Sequence, residues 1–312
     1  MVRSIKWIKS LTKVQNIIQF AYLPFIMLAI GLLTQCKSTL IYREGSLASL
    51  PGDSLRYTAS FPKKDIKGIL LYLPADPDSI EWKKSSLFQH FSKEGYIIFE
   101  PYKRYHGNLH DERNLDNADY RISDIINATR TFAKDHKIDL SDVCVFGTGE
   151  GSRLAVTSLQ ALPAKKIILL NFSWYGDLFD LRQYALKDSL TAADSVALSQ
   201  LFIPANRLHE IVEYLQTDKT GNYHYGGYMA NRWRSYNNIN MHIIPKNPDA
   251  SLYYYDFNNT PFPTTANEYV GMEQLKLLNR NIYKETLNMP EQKSEMLEAW
   301  SKKIWEDINR ED

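Results

Sequence analysis

Short apolar runs alternate along the chain with longer stretches in which apolar residues recur every three or four positions. The runs are short enough for buried strands, and the longer stretches have the spacing of amphipathic helices. The predicted strands cover residues 69–73, 96–99, 143–146 and 166–171, and the predicted helices cover residues 85–93, 116–136 and 152–162. This alternation predicts the α/β class, with a mostly parallel sheet and helices on both faces.

The alternation stops after Asp177 and resumes near residue 252. Residues 178–240 predict several helices and a loop at 221–228 that is rich in tyrosine and glycine. We therefore expect a helical lid inserted after the sixth strand, over the carboxyl edge of the sheet. The pattern then predicts strands at 252–257 and 281–287 and helices at 266–278 and 291–310.

The first 35 residues differ from the rest of the chain in charge and hydropathy. They contain Arg3, Lys6, Lys9 and Lys13 but no acidic residue, and an apolar run at 23–33 follows. This layout is typical of a secretory signal, and Cys36 stands just after the apolar run. The segment resembles a bacterial lipoprotein signal, in which such a cysteine is lipidated and becomes the mature N-terminus.

Two details bear on this resemblance to a lipoprotein. Leu33 fits the pattern before the cysteine, whereas Gln35 departs from it, because Gly, Ala or Ser normally precedes the cysteine. An uncleaved anchor helix over residues 17–33 is the alternative, since that stretch approaches a membrane-spanning length. Both interpretations predict a cell-envelope protein that is tethered to a membrane outside the cytoplasm.

The chain therefore divides into a targeting segment and one large domain. Residues 40–42 and 55–61 predict a hairpin around a turn that contains Gly45 and Pro51. The predicted division is a signal peptide at 1–35, a tether with the start of the hairpin at 36–54, and a domain at 55–312 with the lid at 178–240.

Charge and cysteine content narrow the classes of partner. The formal net charge is +1, and removal of the four basic residues of the first 35 leaves 1 − 4 = −3. Such a body gives no reason to expect a nucleic-acid partner. The two cysteines, Cys36 and Cys144, cannot build a disulfide framework, and Cys144 has the apolar surroundings of a buried core residue.

A glycine-rich turn follows the strand at 143–146. Gly147, Gly149 and Gly151 stand in the frame of the G-x-S-x-G nucleophile elbow, and Gly149 occupies the middle position, where the nucleophile belongs. Glu150 stands between Gly149 and Gly151 in this turn. The turn, together with the order of elements over residues 55–310, resembles that of the α/β-hydrolase superfamily. The likeness is specific over residues 91–171, which resemble serine hydrolases of the esterase and peptidase type.

The resemblance implies three catalytic roles, and most have no residue here. The nucleophile position is Gly149, which has no hydroxyl. Asp256, in the strand at 252–257, matches the position of the acid. The histidine position falls near residues 287–290, and no histidine follows His242. A non-catalytic hydrolase-like protein, which binds a small-molecule or protein ligand under the lid, is the function that this pattern favours.

The loop at the position where a hydrolase stabilises its oxyanion has a sequence that is unfavourable for that role. Residues 74–78 read Pro-Ala-Asp-Pro-Asp, so that prolines remove backbone donors and carboxylates repel a developing negative charge. The alternative is an active esterase or peptidase with a relocated nucleophile. Ser152 is the candidate for that nucleophile, with His106 or His110 as its base.

Three further patterns are weaker. Residues 147–152 also fit a dinucleotide fingerprint, but the strand at 166–171 does not end in the acid that binds ribose. His106, His110 and their neighbours through Glu112 include residue types that bind metals, on a segment whose Gly107 argues against a helix. We therefore predict no metal and no cofactor. The aromatic residues of the lid predict either a ligand surface or ordinary packing; they are Tyr223, Tyr225, Tyr228, Trp233 and Tyr236.

Overall fold

The computed structural model describes residues 40–48, 54–75, 81–104, 116–170, 181–198 except 183, 193, 196 and 197, 204–218, 224–225, 228–237, 247, 249–257, 282–287 and 293–310. The described residues all belong to one compact unit by their contacts. The strands are β1 (Arg43–Ala48), β2 (Ser54–Ser60), β3 (Gly68–Leu73), β4 (Tyr96–Pro101), β5 (Val143–Thr148), β6 (Lys166–Leu170), β7 (His224–Tyr225), β8 (Tyr228–Met229), β9 (Ser251–Phe257) and β10 (Ile282–Leu287). The α-helices are α1 (Ser86–Lys93), α2 (Ala118–Asp135), α3 (Glu150–Ser158), α4 (Leu208–Thr217), α5 (Ala230–Asn237) and α6 (Lys293–Ile308).

Eight of the described strands form one mixed sheet. Their order is β1-β2-β4-β3-β5-β6-β9-β10. The six strands from β4 to β10 in that order run parallel, and β2 runs antiparallel to both β1 and β4. The predicted α/β class, with its mostly parallel sheet, is therefore confirmed.

The two faces of the sheet carry separate apolar cores. Along β3, Ile69, Leu71 and Leu73 belong to one core, while Leu70 and Tyr72 belong to the other. This alternation follows from the two-residue period of a strand, and burial on both faces requires a continuous apolar run. Helices α2 and α3 cover the first face, and α1 and α6 cover the second.

The segment between β6 and β9 has a core of its own. Leu208, Ile211 and Leu215 on α4 pack with Trp233 on α5, and Leu181 and Leu198 from the preceding residues join them. The insertion predicted after the sixth strand thus contains helices, as its sequence pattern indicates. The short antiparallel pair of β7 and β8 lies between α4 and α5.

Some predicted boundaries were wrong. The first strand is Arg43–Ala48 rather than residues 40–42, so that Gly45, predicted in a turn, lies within a strand and pairs with Tyr57. The predicted loop at 221–228 contains β7 and the start of β8, because a two-residue antiparallel pair leaves too short a pattern to detect. The helix predicted at 266–278 and the targeting segment lie outside the described residues. None of the described helices is long and apolar enough to cross a membrane.

Candidate functional site

Gly149 forms the sharp turn between β5 and α3. Its backbone dihedrals are φ 49° and ψ −120°, in a region that disfavours any residue with a Cβ atom. The Gly149 N–H donates to the carbonyl oxygen of Leu170 at 2.9 Å, which ties the turn to the end of the neighbouring strand β6. The turn has the strained strand-to-helix geometry of a nucleophile elbow, and glycine adopts it without steric cost.

The flanking glycines are required by close backbone contact. A Cβ atom on Gly151 would lie 2.0 Å from the carbonyl oxygen of Leu73, at the end of β3. A Cβ atom on Gly147 would lie 2.7 Å from the Cα atom of Ser152. Helix α3 therefore begins directly against the sheet, and only glycine permits that approach. The elbow residues Gly147, Gly149, Glu150 and Gly151 occupy the structure that the sequence pattern predicts for them.

The segment after β3 closes over the elbow. The Ala75 N–H donates to the Thr148 Oγ1 atom at 2.9 Å. A Cβ atom built on Gly149 would lie 3.1 Å from the Cβ atom of Ala75. In a working hydrolase of this fold, an N–H from the segment after β3 faces the oxyanion. Here the Ala75 N–H instead donates to a side chain of the adjacent strand β5. Ala75 also leaves little room for a side chain at position 149. Residues 76–78 lie outside the described residues.

Ser152 is part of the core and is not exposed at the edge of the sheet. The residue is 0% exposed, and its hydroxyl donates to the carbonyl oxygen of Leu170 at 3.1 Å. A serine in this environment does not present its oxygen to a substrate. The proposal that Ser152 is a relocated nucleophile is therefore at odds with the structure, because the first turn of α3 is buried against β6.

The backbone position of Asp256 can be read from the register of the parallel strands. Thr148 of β5 pairs with Leu170 of β6, which in turn pairs with Tyr255 of β9. Gly149 and Asp256 thus follow residues at one level of the sheet, two strands apart, which corresponds to about 10 Å at the usual strand spacing. Asp256 lies at the carboxyl edge beside the elbow. Its side chain lies outside the described residues, so that its role as an acid stays a prediction.

A buried ion cluster joins the insertion to the elbow. The Arg232 Nε atom on α5 lies 2.9 Å from Oδ2 of Asp116, just before α2. The Nη2 atom of Arg232 lies 3.1 Å and 3.0 Å from the two carboxylate oxygens of Glu150, the first residue of α3. The Arg232 side chain is 6% exposed. One guanidinium therefore holds together the insertion, the elbow and the start of α2.

Two further side chains complete this ion cluster. The Lys103 Nζ atom lies 3.5 Å from Asp116 and 3.9 Å from Glu150. The Tyr236 hydroxyl donates to Asp116 at 3.2 Å, and the Arg232 guanidinium lies 4.4 Å from the Tyr236 ring. Burial, together with the carboxylates of Glu150 and Asp116, raises the pKa of the Tyr236 hydroxyl well above its usual value. Tyr236 therefore remains a hydrogen-bond donor at any physiological pH.

Sequence reasoning missed most of this cluster. Glu150 was singled out only as an elbow residue, while Arg232, Lys103 and Asp116 were not singled out as site residues. Arg232 contacts residues that are 116 and 82 positions away along the chain. No local spacing marks such pairs, so that only the chain's path through space brings them together.

Several predicted site residues are placed differently or lie outside the described part. Trp233 and Tyr236 are buried, at 7% and 3% exposure, which agrees with packing rather than a ligand surface.

His106, His110, Tyr223 and His242 lie outside the described residues, as do residues 288–290 at the expected histidine position. Within the described ranges, no group of three or more His, Cys, Asp or Glu residues is arranged to hold a metal.

Three solved structures that resemble this chain are named as an esterase, a peptidase and a hydrolase. A carboxyl esterase from Bacillus coagulans superposes with a TM-score of 0.57 at 14% identity, over 87% of this chain and 99% of the esterase. An acylaminoacyl peptidase from Pyrococcus horikoshii gives 0.55 at 14% identity, over 89% of this chain but 42% of the peptidase. The alpha/beta hydrolase GrgF from Penicillium gives 0.53 at 12% identity, over 87% and 96% of the two chains.

These similarities are structural and not sequence-based. No protein-family model matches the chain, and no curated protein matches it at a significant level. At 12–14% identity the likeness establishes the fold alone. The chain has an α/β-hydrolase fold, as its order of elements predicts.

Proposed function

We propose that this chain is a lipid-anchored cell-envelope protein that uses an α/β-hydrolase fold to bind a ligand or partner without hydrolysing it. The observation that carries the proposal is Gly149, which adopts the nucleophile-elbow conformation at φ 49° yet has no side chain to attack a substrate. The backbone of the elbow is retained where its chemical group is absent.

The surroundings of Gly149 support the same proposal. A tetrahedral intermediate needs N–H donors that point at its oxyanion, and loss of one donor costs a working enzyme about 10²–10³ in rate. The Ala75 N–H, in the segment after β3, donates to the Thr148 Oγ1 atom instead. The nearest serine along the sequence, Ser152, is buried and donates to a backbone carbonyl.

The insertion is the element that we expect to act as a lid. Arg232 links α5 to Glu150, which directly follows Gly149. A ligand that reaches the elbow therefore contacts the insertion or displaces this ion pair. A ligand that separates Arg232 from Glu150 leaves a largely buried charge without its partner, which is costly, so that ligands that leave this ion pair intact are favoured.

The membrane anchor rests on the sequence of the first 38 residues. A basic start, an apolar run and Cys36 together resemble a lipoprotein signal. Mass spectrometry of the mature chain from a bacterial host should find lipid on Cys36 and no residue before it. Cys36→Ser should leave an unprocessed precursor, with Cys144→Ser as the matched control that is processed normally. Mature protein that retains residues before Cys36 would contradict the anchor.

The absence of hydrolysis is tested by a fluorophosphonate probe on the purified full chain in detergent. We expect no labelling and no turnover of short p-nitrophenyl esters, with an active serine esterase as the positive control. Labelling that Ser152→Ala removes would support the relocated nucleophile instead. Labelling that survives Ser152→Ala would reveal another activated residue, and either result rejects the non-catalytic proposal.

A further inference from the structure

The described body begins at the amino edge of the sheet. Arg43 of β1 pairs with Ala59 of β2 in antiparallel register. Ile41 lies two residues before Arg43, and Phe61 lies two residues after Ala59, so that both stand at the same end of this hairpin. The chain therefore enters the domain beside the residues that connect β2 to β3.

That end of the hairpin is opposite the elbow. Gly68 and Tyr96, the first residues of the parallel strands β3 and β4, pair with each other. The Lys67 N–H donates to the carbonyl oxygen of Gly95 at 2.8 Å, which holds the β2–β3 connection against the start of β4. Gly149 follows the carboxyl end of β5. A six-residue strand spans about 20 Å, which separates the two edges.

Three exposed apolar side chains and three lysines lie in this region. Ile41, Phe61 and Ile66 are 76%, 37% and 43% exposed, although all three are large hydrophobic residues. Lys63, Lys64 and Lys67 are exposed on the same connection. We call these six residues the tether surface. The other large apolar side chains that are exposed in the described residues lie elsewhere, on α2 and in the insertion: Tyr120, Leu186 and Tyr214.

The charge of the tether surface suits an anionic membrane. Two of its three lysines pair with Glu94, and Asp65 is exposed on the same connection. Glu94 lies 3.9 Å from Lys64 and 3.5 Å from Lys67, and all of these side chains are about half exposed. Such exposed pairs are weak and exchange partners easily. Apolar side chains with adjacent lysines are the composition that favours the interface of an anionic bilayer.

Chain length brings this surface close to the bilayer. Three residues separate Cys36 from Leu40, and a fully extended chain spans at most about 14 Å over the four steps between them. A lipid on Cys36 therefore holds the start of the described body within one short segment of the headgroups. Leu40, the first residue of that body, directly precedes Ile41 of the tether surface.

We propose that the tether surface rests on the bilayer, and that the carboxyl edge of the sheet at Gly149 faces away from it. The proposal rests on the lipid anchor proposed above and adds an orientation to it. A binding site at that edge, on the far side of the domain, takes its ligand from the aqueous space and not from the bilayer. The ligand class is then a water-soluble molecule or protein rather than a membrane lipid.

Site-specific fluorescence tests the orientation. Ile41→Cys, Phe61→Cys and Ile66→Cys are each labelled with an environment-sensitive dye on the full chain, in phosphatidylglycerol-containing vesicles with doxyl-labelled lipid. Leu186→Cys and Tyr214→Cys, which replace exposed apolar residues of the insertion, are the matched controls. The unsubstituted chain reports the background from Cys36, since Cys144 is fully buried.

We expect the doxyl lipid to quench the dye at the three tether-surface positions at least about twofold more than at the controls, because the interface holds apolar side chains about 5–10 Å deep. Stronger quenching at Leu186→Cys and Tyr214→Cys, or equal quenching at all five positions, overturns the orientation. Ile41→Cys is the variant that keeps the test valid if the others fold poorly, because its side chain is 76% exposed.

Flotation of the same vesicles separates this proposal from the anchor. A chain that floats with the vesicles and shows no preferential quenching has an anchor but lacks the proposed orientation. A chain that floats, is quenched at the tether surface and retains residues before Cys36 keeps the orientation, although lipidation fails. A chain that does not float contradicts both.

Discussion

The turn after β5 and the segment after β3 meet at the same edge of the sheet, yet they differ in what they retain. The turn at Gly149 has the dihedrals of a nucleophile elbow, and Gly151 lets α3 approach β3. In the segment after β3, by contrast, the Ala75 N–H donates to Thr148, and Ala75 occupies the space beside Gly149. The contrast teaches that the elbow is required by packing, since its glycines are needed whether or not a reaction occurs there.

The contact from the insertion belongs to the same contrast. Arg232 binds Glu150 at the start of α3, so that a structural ion pair stands next to the position where a hydrolase carries out its chemistry. If the elbow serves as a structural joint, changes that loosen it should cost stability, and changes that restore a hydroxyl should not create activity.

Loss of the buried guanidinium should have the largest effect. Arg232→Met should lower the free energy of unfolding by about 3–5 kcal/mol, because it leaves two largely buried carboxylates without their main cation. Urea denaturation of the full chain measures this loss. Arg207→Met is the control, because Arg207 forms an exposed pair with Glu210, and its loss should cost at most about 1 kcal/mol. Equal small losses would show that the cluster does not hold the insertion.

Crowding at the elbow should have the next largest effect. Gly151→Ala should cost about 3 kcal/mol, at the upper end for overpacking, because the new methyl group meets the Leu73 carbonyl oxygen. Gly147→Ala should cost less in the same denaturation experiment, since its closest contact is longer, at 2.7 Å against 2.0 Å. Alanine normally favours a helix by about 1 kcal/mol over glycine. A stabilising Gly151→Ala would therefore refute the packing argument.

A hydroxyl introduced at position 149 should lower the free energy of unfolding by a smaller amount and should not create an active enzyme. Gly149→Ser should lower stability by about 1–2 kcal/mol, because a side chain at positive φ is strained. It should also remain inactive towards p-nitrophenyl esters and fluorophosphonate, because a serine without a base is a weak nucleophile. Gly149→Ala carries the same strain without the hydroxyl and serves as the control. Labelling of Gly149→Ser but not of Gly149→Ala would mean that a base and an oxyanion site are present.

The smallest effect should come from Ser152. Ser152→Ala should cost about 1 kcal/mol, the usual net value of one hydrogen bond, and leave any esterase assay unchanged. Ser158→Ala is closely matched, because Ser158 is also fully buried and donates to the carbonyl oxygen of Leu154 at 2.8 Å. A loss of ester turnover in Ser152→Ala alone would restore the relocated nucleophile.

The order of strands and helices and the position of the elbow were determined by the sequence. A strand buried on both faces needs a continuous apolar run, and the runs at 69–73, 96–99, 143–146 and 166–171 correspond to strands β3, β4, β5 and β6. The frame around Gly149 predicts the turn because a positive φ and a close helix approach leave few residues but glycine. The local pattern predicted neither the strand position of Gly45 nor the pairing of β7 with β8. Both depend on the partner strand, which the local sequence does not contain.

Only the tertiary structure decided which polar groups surround the elbow. The Ala75 N–H reaches Thr148 across 73 residues, and Arg232 reaches Glu150 across 82. Such contacts leave no periodic signal in the sequence, because they depend on where separate elements cross. Burial of Ser152 likewise follows from the packing of α3 on β6 and cannot be read from its neighbours. The backbone of the site is therefore local in origin, whereas its polar environment comes from the fold as a whole.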